Sequence, residues 1–274
     1  MIYIFVALYC EAKPIITRYG LKPDGGYTLG SFSDAENRMK VILTGVGKTG
    51  SAAAVAYSCA KFGIGSDDFI INIGTAGGGR SRSGAYILNK ITDADSGRPY
   101  YPDMIYRTCL TESCCTTVST VATEEMIDAD DNMLWEMEAS GFADAARLFM
   151  PPDKVQFIKV VSDRGNDNKK DLTDELLENT IADNIDDIAG ALEVFLKADE
   201  AKKEHVQFDP SIEEEFKCSE TMRQDLRKIL IYLKNSNRDI NPILEQMRNE
   251  EIIPAKDRRQ GKEALNELKR RIIQ

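Results

Sequence analysis

The chain has 274 residues, 35 of them Lys or Arg against 45 Asp or Glu, for a net charge of −10. That length suits one large domain or one domain with an appendage, and the acidic balance argues against generic binding of nucleic-acid phosphates. No apolar stretch approaches a membrane span. The first residues form a strand-like run without a signal peptide's basic region or cleavage site, which predicts a cytoplasmic protein. Six cysteines (Cys10, Cys59, Cys109, Cys114, Cys115, Cys218) make no CxxC pair, and His205 is the single histidine. Reduced thiols and no metal site are therefore expected. Carboxylates must then carry any proton transfer.

Residues 1–8 are almost continuously apolar and predict a buried strand. A helix is expected over 11–19, with Pro14 near its first turn. Asp24-Gly25-Gly26 predicts a turn. Strands are expected at 27–32 and 39–44, a Gly-rich turn at 45–50 and a small-residue helix at 51–62. Residues 69–73 predict another buried strand, ending in a turn at Gly74-Thr75-Ala76-Gly77-Gly78. Further strands are expected at 85–91, 115–121 and 155–161. A helix is expected over 138–149, with Phe142, Ala145, Ala146 and Phe149 on one side. One or two helices are expected within 172–196. This alternation predicts an α/β domain over residues 1–199. Residues 200–274 are highly charged, with helical patterns at 220–234 and 261–273. Leu226, Ile229, Leu230 and Leu233 form a stripe suited to packing on a core or docking a partner. The basic Lys269-Arg270-Arg271 reads as a solvated helix end.

Two glycine motifs are decoys. Gly45-Val46-Gly47-Lys48-Thr49-Gly50 matches GxGxxG, but on a late strand, and Asp67 and Asp68 precede the next strand instead of ending it. A P-loop ending at Gly47-Lys48-Thr49 would need its leading glycine where Ile42 sits inside a strand. Neither a dinucleotide nor a nucleoside triphosphate is expected, and no cofactor is implied.

Carboxylates stand where strands should end: Glu11 after the first apolar run, Glu136 and Glu138 in Trp135-Glu136-Met137-Glu138-Ala139, and Asp163 after Ser162. Singly, each is best read as a helix-end charge, a cap or a surface acid. Together with the Gly45–Gly47 turn and Gly74–Gly78, in this order, they resemble the nucleoside phosphorylase/nucleosidase superfamily, closest to methylthioadenosine/S-adenosylhomocysteine nucleosidase. The resemblance covers residues 1–199 and is clearest at 41–78 and 135–163. It implies a single domain with a mixed, mostly parallel central sheet flanked by helices, in a homodimer or larger homo-oligomer. Residues 200–274 would be a helical extension foreign to that family.

The resemblance also implies roles. Asp163 would be the acid serving the purine N7 and exocyclic amine, with Ser162 orienting its carboxyl. Glu11 would be the base for the attacking water. Glu138 would accept hydrogen bonds from the ribose hydroxyls and stabilise developing positive charge. Met137 would pack on the sugar, and Thr75 would keep a hydroxyl near the nucleophile. Leu8, Gly77 and Glu136 complete the expected substrate contacts. Leu8-Tyr9-Cys10 replaces the family's Met-Glu-Glu, and no aromatic aligns with the purine-stacking loop. The 5′ substituent and the base are therefore left open, and Tyr100-Tyr101-Pro102 has no counterpart. Asn72 and the turn Ala7-Leu8-Tyr9-Cys10-Glu11 favour water as nucleophile. Lys13, Arg18, Arg80 and Arg82 keep a phosphate-dependent phosphorylase as the alternative. A non-catalytic nucleoside-binding protein is a second alternative.

Overall fold

The computed structural model describes residues 1–26, 28–79, 81–163, 172–205, 209–236 and 238–273. Contacts divide the chain into two compact units, Met1–Glu200 and Ala201–Gln274.

In the first unit the elements run β1 (Ile2–Val6), α1 (Tyr9–Tyr19), β2 (Lys22–Pro23), β3 (Ser31–Ser33), β4 (Met39–Leu43), α2 (Lys48–Phe62), β5 (Phe69–Gly78), β6 (Ala85–Asp93), β7 (Pro99–Tyr100), β8 (Thr111–Thr117), α3 (Glu124–Ala129), β9 (Met133–Glu136), α4 (Ala139–Ala146), β10 (Val155–Asp163), α5 (Asp174–Asp183) and α6 (Ile185–His205). The strands form one mixed sheet whose longer ladders are parallel: β1 with β4 and β5, β10 with β5, and β6 with β8. β5 is the pivot. Its first half lies between β1 and β10, and its last residues pair with β9 and β10. Because β10 also pairs with β6, the strands β5, β10, β6, β8 and β9 close a ring.

Both faces of β1 are covered, which is why its sequence is continuously apolar. Ile2, Ile4 and Val6 join Ile15, Ile181, Ile188 and Phe195 on one side, beneath α1, α5 and α6. Tyr3 and Phe5 join Val55, Phe142 and Phe157 on the other, beneath α2 and α4. Phe142 meets Phe5 and Phe157 edge-on, each at 5.3 Å between ring centres. These offset aromatic contacts hold α4 rigidly against the sheet.

Several expectations need correction. Gly74–Gly78 is not a turn. It is extended and paired, with β10 from Gly74 opposite Lys159 to Gly77 opposite Asp163, and with β9 at Gly77 and Gly78. The strand expected at 115–121 starts earlier and stops at Thr117, so Val118 and Val121 lie past its end. The helix expected over 138–149 is α4, with Glu138 as its N-cap in a non-helical conformation. Of the strand expected at 27–32, only Ser31–Ser33 forms, and Tyr27 lies outside the described residues. The short α3 was not foreseen.

The second unit contains α7 (Pro210–Glu215), α8 (Glu220–Asn235), α9 (Asn241–Asn249) and α10 (Arg258–Ile273). Leu226, Leu230 and Leu233 of the predicted stripe are buried with Phe216, Leu244, Met247 and Leu268 in this unit's own core. Lys269, Arg270 and Arg271 pair with Asp225, Glu267 and Glu250. All six cysteines are free thiols.

Candidate active site

One cavity of about 340 Å³ opens between the ends of β1, β5, β9 and β10, at the small end of the range for small-molecule pockets. Leu8, Glu11, Thr75, Gly77, Glu136, Met137, Glu138, Ser162 and Asp163 all line it. The residues expected to act on or touch the nucleoside therefore lie around one cavity. Trp135, Val118, Val121, Ala122, Leu172 and Leu177 also line it. They escaped notice because ordinary apolar residues carry no local mark of a binding wall.

Glu11 sits in the first turn of α1, where the helix dipole favours a carboxylate. It is 4% exposed. One oxygen accepts from the Leu8 amide at 3.1 Å, and the other from the amide and hydroxyl of Thr75, each at 2.8 Å. The group is thus held from two elements before any ligand arrives.

Asp163 reaches the cavity through a bulge. The β10–β5 register slips between Val161 and Asp163, leaving Ser162 as the extra residue. A bulge re-aims the side chains beside it, and both Ser162 and Asp163 line the cavity. The Ser162 hydroxyl donates to an Asp163 carboxylate oxygen at 2.7 Å.

Glu138 is 7% exposed. One of its oxygens accepts from the Gly47 amide at 2.8 Å, and the other lies 3.9 Å from the Lys159 ammonium. Burial, with Glu136 and Glu11 nearby, pushes its pKa up to about 7 against the opposing pull of Lys159 and the Gly47 amide. Glu136 lines the cavity but its carboxylate is already engaged. It accepts from the Thr117 hydroxyl at 2.5 Å, the Glu138 and Ala139 amides at 2.9 and 2.8 Å, and Lys159 at 2.8 Å. Its work is to cap α4 and hold Lys159.

Lys159 was missed. It is 1% exposed and sits at mid-strand in β10. Burial would lower its pKa, but Glu136 and Glu138 outweigh that and hold the ammonium well above the ordinary lysine range. A Cβ added to Gly74 would lie 3.3 Å from a Glu11 oxygen and 3.5 Å from the Lys159 nitrogen. A side chain there would crowd the Glu11 oxygen. One signal was available, a lone charge inside the apolar run 155–161.

The proposed phosphate contacts are placed elsewhere. Lys13 pairs with Glu178, Arg18 approaches Asp186, and Arg82 donates to the Asn132 carbonyl. Arg80 lies outside the described residues. Tyr100 and Tyr101 do not line the cavity, and Tyr101 is exposed. The GxGxxG turn serves the site from within: the Gly47 amide goes to Glu138 and the Lys48 ammonium to Asp93 and Asp95. Among the described residues, no cluster of three His, Cys, Asp or Glu side chains could hold a metal ion, and no helix is long and apolar enough to cross a membrane.

No family model matches the chain, and no curated protein sequence does. Solved structures do. Methylthioadenosine/S-adenosylhomocysteine nucleosidase from Neisseria meningitidis, in complex with methylthio-immucillin-A, is 19% identical, with 70% of this chain and 97% of that one covered at a TM-score of 0.57. The S. pneumoniae enzyme with a transition-state inhibitor is 21% identical, with 72% and 98% covered and a TM-score of 0.57. A futalosine hydrolase mutant from Helicobacter pylori is 12% identical, with 70% and 98% covered and again 0.57. The fold of this chain is that of the methylthioadenosine/S-adenosylhomocysteine nucleosidases, with a separate helical unit at its C-terminal end.

Proposed function

We propose that this cavity hydrolyses the N-glycosidic bond of a purine nucleoside related to methylthioadenosine or S-adenosylhomocysteine, releasing the free base. One observation carries the reading. Glu11, Glu138 and Asp163 line a single cavity with the Thr75 hydroxyl, and among the described residues no lysine or arginine lines it. Such a wall suits a sugar that gains positive charge in the transition state. Its carboxylates disfavour a phosphate dianion, which supports water as the nucleophile.

Asp163, steadied by Ser162, donates a proton to the purine nitrogen N7. The bond from the sugar's anomeric carbon breaks and its electron pair leaves with the base. Glu138 accepts from the ribose hydroxyls and offsets the charge on the ring. Glu11 takes a proton from water as its oxygen bonds the anomeric carbon, giving a free pentose and a free base. Thr75 and the Leu8 amide keep Glu11 aimed. Met137 packs on the sugar, and Trp135 supplies an aromatic to the cavity wall.

The test is Asp163→Asn, which keeps shape and removes the acid. A positioned general acid contributes about 10²–10⁴-fold, so kcat for base release should fall by at least about a hundredfold, with nucleoside binding retained in calorimetry. Unchanged kcat would remove Asp163 from the chemistry.

A further inference from the structure

We infer that Asp93, outside the cavity, is a positioning residue for Glu138: it ties together the two segments whose meeting sets the Glu138 carboxylate. The inference rests on the reading of Glu138 as the ribose-binding group. Asp93 ends β6, is buried, and does not line the cavity. One of its oxygens accepts from the Lys48 ammonium at 2.9 Å and the Ser140 hydroxyl at 2.8 Å. The other accepts from the amide and hydroxyl of Ser96, both at 2.8 Å.

The two arms on the first oxygen matter. Lys48 directly follows Gly47, whose amide donates to Glu138. Ser140 lies two residues after Glu138, in the first turn of the helix that Glu138 caps. The Ser140 amide donates to the Thr117 hydroxyl at 3.0 Å, and that hydroxyl donates to Glu136. Asp93 therefore holds the donor's segment and the acceptor's segment from one carboxylate. Burial works against its charge, but hydrogen bonds from Lys48, Ser140 and Ser96 outweigh it and hold Asp93 well below the usual carboxylate range. The clamp stays ionised at every working pH.

The test compares Asp93→Asn, Lys48→Met and Ser140→Ala in the full chain. The groups facing Glu138 are the Gly47 amide, Lys159 of β10, Glu136 of β9 and Glu11 of α1. Loosening the Gly47 amide removes the one backbone donor that favours the Glu138 anion. Carbon-13 NMR of labelled glutamate in the free protein should show the Glu138 midpoint rising, by about half a unit or more for Asp93→Asn, and less for each single-arm variant. The KM for the nucleoside should rise roughly tenfold in Asp93→Asn while kcat changes by less than about threefold, the mark of lost ground-state binding. Variants with a lowered melting temperature but wild-type Glu138 titration and KM would make Asp93 merely structural and overturn the proposal. A wild-type protein that turns over no nucleoside would overturn the functional reading instead. The titration would still decide whether Asp93 sets Glu138.

Discussion

In the proposed role, Glu138 faces two demands that pull apart. Accepting hydrogen bonds on both oxygens from sugar hydroxyls favours the anion, while its surroundings favour the neutral acid. Its pKa lies near 7 in the folded chain against an ordinary 4.5. Between those values the folded state holds a proton that the unfolded chain has released, so stability falls as pH rises from about 4.5 to 7 and levels off above. Glutamine mimics the protonated form. Thermal unfolding of Glu138→Gln from pH 5 to 8 should show the variant gaining on wild type up to about pH 7, with the gap constant beyond. A gap that narrows with pH would contradict the assignment. Nucleoside affinity should move the other way: wild type gains it as pH rises through about 7, while the variant stays weak throughout. Lys159 moderates the conflict, and burying it between Glu136 and Glu138 is tolerable only because both of those carboxylates answer it. The acids were legible in the sequence as an ordered set. Lys159 was not, because a lone charge in an apolar run fits a strand's edge as readily as a buried ion pair.

At the scale of elements, the site depends on how closely α4 approaches the start of α2. A Cβ added to Gly141 would fall 2.2 Å from the Lys48 carbonyl oxygen. Gly141→Ala must therefore push α4 away, and overpacking of this kind costs about 1–3 kcal/mol. The shift should also lengthen the Gly47–Glu138 bond. The variant should melt lower and show a raised KM in steady-state assays; melting lower with unchanged KM would mean that the approach serves stability alone. Apolar runs revealed β1 and β10, which are buried on both faces, and small residues revealed α2, which begins three residues earlier than expected. Sequence pattern failed at β5, where Gly74, Gly77 and Gly78 read as a turn although they are extended to admit Glu11, Lys159 and Asp163. It also failed at Val118–Ala122, a cavity wall with no period of its own. The bulge at Ser162 left no mark in composition, because it arises from pairing with β5.

At the scale of the whole molecule, the first unit has two buried layers around one sheet and the second has its own core of leucines, isoleucines and Phe216. The boundary expected near residue 199 was visible as a shift to charged sequence. The division at Glu200 falls inside α6, so a cut there would fray a helix whose Phe195 is buried against Phe69. A chain ending at His205 keeps α6 whole. It should unfold as one cooperative transition and retain base release within about threefold of the full chain. Loss of activity in a folded fragment would make residues beyond 205 part of the function. The apolar stripe Leu226, Ile229, Leu230 and Leu233 was ambiguous because an amphipathic helix looks alike whether it faces its own core or a partner.

The most direct measurement is release of free base from methylthioadenosine, S-adenosylhomocysteine, adenosine and inosine, each with and without inorganic phosphate. The account predicts turnover without phosphate, a free pentose as coproduct, and no acceleration when phosphate is added. Turnover only with phosphate, giving a pentose 1-phosphate, would contradict water as the nucleophile; no base released under either condition would contradict the hydrolase itself.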